Sequence, residues 1–157
     1  MLGSLKNVLA KAEASARDQG ITEEDFLKSA LAPDMFPLVR QVQIACDNAK
    51  GASARLAGTE PPAYEDTEKT FAELYARIDK TLAFVSTFTE ESFVEAHTRK
   101  VTLPYYPGKY MMGDEYALEY VLPNFLFHVT IAYAIIRKNG VAIGKGDYMN
   151  GLPFKDL

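Results

Sequence analysis

Apolar residues recur along this chain in steps of three and four, in four separate stretches. Each stretch puts one apolar stripe on one face of a helix. In the first helix the stripe is Leu2, Leu5, Leu9, Ala12 and Ala16, with an end near Gly20. Thr22 and the acidic run to Asp25 predict a capped short helix carrying Phe26, Leu27 and Leu31. Asp34 is the expected cap of the second helix, with Pro37 in its first turn, where a missing N–H costs nothing. Its stripe is Met35, Leu38, Val42, Ala45, Ala49, Ala52 and Leu56, and Gly58 is a natural stop. The small residues Gly51 to Ala54 predict a close-packed neighbour. Asp66 or Thr67 is the expected cap of the third helix, whose stripe is Phe71, Leu74, Ile78, Leu82 and Val85.

The rhythm breaks between residues 89 and 112. Thr89 to Phe93 suits one helical turn. His97 to Tyr110 alternates weakly, holds Pro104, Pro107 and Gly108, and reads as a hairpin or long loop. The last helix opens at Gly113-Asp114. Its stripe is Leu118, Leu122, Phe125, Val129, Ala132 and Ile136, and it stops at Asn139-Gly140. Pro123 inside it predicts a kink or a fresh start. The tail from Val141 is expected to pack across the bundle end. Four stripes joined by loops of unequal length predict an all-α four-helix bundle, with a long crossover that lets two neighbouring helices run parallel.

Composition narrows the function classes. The 157 residues are expected to form one domain, 1–157, and 48% hydrophobic against 24% charged residues suits a globular chain. Seventeen Lys and Arg against 21 Asp and Glu give a net charge of −4, which argues against nucleic acid as a partner. A single cysteine excludes an intrachain disulfide and a multi-cysteine zinc site. There is no secretory signal pattern and no apolar run read as a membrane span, so the expected location is the cytoplasm. Two histidines, His97 and His128, exclude a three-histidine metal centre within the chain.

His128 borders the core stripe of the last helix, and Asn124 lies one turn earlier on nearly the same face. Such a pair can present two ligating or hydrogen-bonding groups to a bundle interior. Gln41 stands in the same relation to the second stripe, so these three are candidate walls of one pocket. The competing reading of His128 is a core histidine satisfied by a neighbour. His97, beside Thr98, Arg99 and Lys100, reads as an exposed loop residue. Cys46 reads as a small buried hydrophobe, since a catalytic thiol needs a base or cation beside it. Gly140 to Gly146 only faintly resembles a phosphate loop. Its spacing is one residue short, and no Ser or Thr follows Lys145. Tyr105, Tyr106, Tyr110, Tyr116 and Tyr120 suit a pocket wall, a dimer surface or a cover for the bundle end.

The run Ala32-Pro-Asp-Met-Phe-Pro-Leu38, followed by Arg40-Gln-Val-Gln-Ile44, resembles the signature of an uncharacterised bacterial family in the DinB/YfiT-like superfamily. Arg55-Leu-Ala-Gly58, Leu122-Pro-Asn-Phe125 with His128, Ala132-Tyr133, Arg137 and Asn139-Gly140-Val141 extend the likeness, as do Gly144-Lys145 and Asp147. The resemblance implies an up-down-down-up four-helix bundle, often a homodimer. It also implies a first helix shortened at its start by about three turns. Metal-binding superfamily members carry one histidine on the second helix and an H-x-x-x-H pair on the last. Here the pair falls at Asn124 and His128, and the second-helix position falls at Gln41 or Gln43. Amides are weak ligands for zinc or nickel beside imidazole, so no metal cofactor is expected.

Three functions follow as expectations. The first is a metal-free bundle that binds an unknown small molecule through His128, Asn124 and Gln41 or Gln43. The second is a divergent metal- or thiol-dependent transferase. The third is a dimeric structural protein whose polar cluster only satisfies itself.

Overall fold

The computed structural model describes residues 1–156. Helices α1 (Leu2–Asp18), α2 (Glu23–Lys28), α3 (Leu38–Leu56) and α4 (Phe71–Val85) come first. Two 3₁₀ turns, Glu90–Phe93 and Ala96–Thr98, lead into strands β1 (Lys100–Val101) and β2 (Met111–Met112). The strands pair antiparallel, with Lys100 opposite Met112. A long helix, α5 (Gly113–Lys138), and a short one, α6 (Lys145–Tyr148), close the chain.

Side-chain pairs give the directions. Lys6 meets Asp79 at 2.6 Å and the Tyr75 hydroxyl donates to Glu13 at 2.7 Å, so α1 and α4 are antiparallel. Gln19 at the end of α1 reaches the Asn139 carbonyl just beyond α5, so those two helices are parallel. His128 lies against Gln41 and Tyr116 against Arg55, so α5 runs antiparallel to α3. The result is the up-down-down-up bundle. Its core joins Leu5, Leu9 and Ala12 of α1 to Leu38, Val42 and Ala45 of α3, Leu74 and Ile78 of α4, and Val129, Ala132 and Ile136 of α5. Phe26 of α2 packs on Phe71 with ring centroids 5.8 Å apart. A smaller cluster of Val101, Leu103 and Tyr116 seats the hairpin against α5.

Several expected boundaries move. Helix α3 begins at Leu38, not at Asp34, because a residue before proline is pushed out of the helical region. Phe36 precedes Pro37, and Pro37 itself is extended. Helix α4 is capped by Thr70, not by Asp66 or Thr67. Thr70 and Glu73 form a reciprocal capping box, while Asp66 is drawn to Arg77 at 2.9 Å. Leu82, expected in the core, is exposed.

Helix α5 is continuous through Pro123, but its α-helical winding starts afresh at Leu122, with Pro123 in the first turn. Proline has no N–H for the carbonyl four residues back, and the preceding stretch Tyr116–Val121 widens into a π-helix. The wider turn shifts the register. Tyr116 goes inward, and Leu118 and Leu122, expected in the core, face outward at 67% and 48% exposure. Against the sequence expectation, α5 is long and apolar enough by composition to cross a membrane. In the bundle its other face is buried on α1 and α3. The tail does not cross the bundle end. It buries Val141 and Ile143 and turns back along α1, where Lys11 holds Asp147 and Ser4 donates to the Asn150 carbonyl at 2.9 Å.

A polar seam between two antiparallel helices as the candidate site

Residues seven apart share a helix face, because seven is nearly two turns. On α3 this rule aligns Gln41, Asn48 and Arg55. On α5 a step of four aligns Tyr116, Tyr120, Asn124 and His128. The two lines face one another across the α3–α5 contact, running in opposite directions, and form a polar seam.

At one end His128 Nδ1 lies 2.7 Å from Gln41 Oε1, and the Gln41 amide N–H donates to the Phe36 carbonyl at 2.9 Å. With Nε2 of Gln41 spent as a donor, its oxygen is an acceptor and Nδ1 of His128 carries the proton. Burial, with Arg40 nearby, pushes the His128 pKa below its ordinary value, so the ring is neutral at physiological pH. Phe127 stands edge-on to the imidazole, 5.3 Å away between centroids. At the other end the Arg55 guanidinium reaches the Tyr116 hydroxyl at 3.4 Å. Tyr116 stacks on Tyr120 at 5.7 Å.

Between the two ends lies a cavity of about 200 Å³. Asn48, Asn124, Asp47, Lys50, Tyr116 and Tyr120 are among its walls. Asn48 is the middle rung of the α3 line. It is 8% exposed, and neither its Nδ2 nor its Oδ1 has a hydrogen-bond partner. A buried amide left in that state costs about 1–3 kcal/mol.

Next to the cavity lies an ionic cluster. Arg77 of α4 binds Asp47 at 2.8 Å, Asp66 at 2.9 Å and Glu68 at 2.9 Å, and Lys50 binds Asp47 at 2.7 Å. Tyr64 receives the Lys50 and Lys80 ammonium groups over its ring, each at 4.1 Å. Gln43 belongs to this cluster: it donates to Glu68 at 2.8 Å and accepts from Arg40 at 3.3 Å. The structure therefore brings Gln41 to His128 and Asn124 to the cavity, and turns Gln43 toward α4.

His97 is exposed in a 3₁₀ turn. Cys46 is fully buried, and burial pushes its thiol up to about 11. The reading from sequence missed Asn48, Arg55 and Arg77. The seven-residue spacing of Gln41, Asn48 and Arg55 was the available signal for the first two. Arg77 carried none, since it lies beside the expected stripe, next to Ile78, where a helical arginine is ordinarily solvated.

The donor set at the seam does not suit a metal of the superfamily kind. It holds one imidazole, already engaged at Nδ1, and neutral amides, and among the described residues no three His, Cys, Asp or Glu side chains are grouped so as to hold a metal ion.

Comparison with known proteins adds the family. The model of the family described as Domain of unknown function (DUF1993) matches residues 1–149. Among solved structures, the crystal structure of a DinB family member protein from Shewanella denitrificans is similar at 44% identity and a TM-score of 0.95. The match covers 100% of this chain and 89% of that one. No curated protein matches the chain.

Proposed function

The chain belongs to the DUF1993 family, a DinB-like helical family of unknown function, and from that premise we propose that it is a cytoplasmic, metal-free binding protein for a small polar molecule held in the α3–α5 seam. One observation carries this reading: the Asn48 amide, buried and unpartnered, stands at a cavity lined by other hydrogen-bonding side chains, Asn124, Tyr116, Tyr120 and Arg55, as well as by the apolar Ile44, Pro61 and Leu103. Buried polar groups are nearly always paired, and convergent polar groups around a concavity mark ligand sites. Asn124 is a direct anchor. The His128–Gln41 pair closes the seam beyond it and holds α5 at the right height. The donor set does not support a transferase that works through a metal.

The test is a fragment screen read by ¹⁵N NMR on the full chain. Hits are expected to move backbone amides of residues 44–55 and 120–128, and Asn124→Ala is expected to weaken them while the spectrum keeps its native dispersion. Hits that map elsewhere, or that bind Asn124→Ala equally well, reject the seam as the site.

A second reading is supported by a different face. Leu118 and Leu122, one turn apart on α5, are both exposed, which suits burial against a second copy of the chain. A homodimer predicts that Leu118→Lys lowers the sedimentation coefficient from that of a dimer to that of a monomer. A monomeric wild type rejects it.

A further inference from the structure

The unpartnered amide says that something polar belongs in the cavity, and the charges around it say of what kind. Arg55 has one hydrogen-bond partner among the described residues, the Tyr116 hydroxyl, and makes no ion pair with a carboxylate. Its position is built into the helix. A Cβ on Gly51 would collide with Arg55 Nη1, so glycine at 51 gives the guanidinium its bed along the α3 surface. The other charges on the cavity wall cancel, because Lys50 is bound to Asp47. Lys50, Asp47 and Arg55 together leave a single positive charge there. Glu60 faces only the adjoining outer cavity that Arg55 also borders.

One net positive charge beside a carboxylate selects a monoanion. A dianion would bring two negative charges to a wall that offers one in excess, with the Asp47 carboxylate on the same wall. The fork of an arginine matches the two oxygens of a carboxylate. Asn48 adds a second requirement, since its Nδ2 needs an acceptor and its Oδ1 needs a donor. A carboxylate alone supplies only acceptors, so the rest of the ligand must carry an N–H or O–H. The cavity of about 200 Å³ suits a small ligand, and Arg55 and Leu103 also line the adjoining outer cavity.

Resting on the binding reading above, the geometry points to a small monocarboxylate that also carries a hydrogen-bond donor, an N-acyl amino acid or hydroxy acid in type. Its carboxylate sits on Arg55 and its donor-bearing group on Asn48.

The experiment titrates the full chain with three probes: N-acetylglycine, its neutral counterpart N-acetylglycinamide, and inorganic phosphate. The Asn48 side-chain amide signals and the backbone amides of residues 47–55 are followed by ¹⁵N NMR. N-acetylglycine is expected to move them and to bind roughly tenfold or more tightly than the neutral amide, the usual scale of one charge-assisted contact. Phosphate is expected to leave them in place. Arg55→Met should abolish the preference for the acid while retaining the weaker amide binding, which also shows that the variant is folded. Equal binding of acid and amide, or tighter binding of phosphate, overturns the monoanion assignment and leaves a ligand site at the seam. If none of the three probes moves Asn48 while a hit from the fragment screen does, the assignment fails alone. If nothing moves it, both readings fall.

Discussion

Folding changes how firmly His128 holds its proton. Burial and Arg40 lower the His128 pKa in the folded chain, so the folded state holds its proton less firmly than the unfolded state does. Protonation therefore draws the chain toward unfolding. The sign is that stability is full above the ordinary histidine value of about 6.5 and falls as pH drops below it. Urea midpoints at pH 7.5 and 5.5 should show this loss, and His128→Gln should remove much of the pH dependence. Cys46 makes the opposite kind of statement. Its thiol is sealed in the core and its pKa is pushed up to about 11, so thiolate is scarce at pH 8. Native protein should resist a thiol-specific reagent for as long as it stays folded, and should react with one equivalent in denaturant. Rapid labelling of native protein would contradict the burial.

Among the elements, α4 shows how a cap fixes a start. Thr70 Oγ1 accepts from the Glu73 amide at 3.2 Å, and Glu73 accepts from the Thr70 amide at 3.0 Å. Thr70→Ala should cost about 1 kcal/mol in equilibrium urea unfolding. The cap was within reach of the sequence, since Thr70 immediately precedes Phe71 and forms a T-x-x-E pattern with Glu73. Asp66 and Thr67 can also cap, but neither has a Glu or Gln three residues on, and Asp66 is held by Arg77. The apolar stripes of α1 and most of α3 and α4 were legible because their period is undisturbed. The first half of α5 was not. A π-turn changes the number of residues per turn, so a stripe drawn with the α period places Leu118 inward and misses Tyr116.

At the scale of the whole molecule, Arg77 joins three segments. It reaches from α4 to Asp47 on α3 and to Asp66, Glu68 and the Glu65 carbonyl in the loop between them. Arg77→Met would leave three carboxylates facing one another around Lys50 and Arg40. The expected loss is about 2 kcal/mol by chemical denaturation. That is less than the 3–5 kcal/mol of a sealed pair, because Asp47 and Asp66 keep over a third of their side-chain surface in water. The candidate site was half legible in the sequence. Asn124 and His128 declare themselves by their spacing on one helix. Gln41 can be placed beside them only once α3 is known to run antiparallel to α5, and the lack of a side-chain or backbone partner for the Asn48 amide is a property of packing, not of order along the chain. The pairing of α1 with α5 has a consequence for how the chain reaches this state. These helices are parallel neighbours from opposite ends of the chain, joined at Leu5, Val8 and Val129 and again at Gln19 and Asn139. Contacts of such long sequence separation slow folding, so this bundle should fold more slowly than an up-down-up-down bundle of equal length. On the ribosome, the side of α1 that faces α5 stays uncovered until nearly the whole chain has been made.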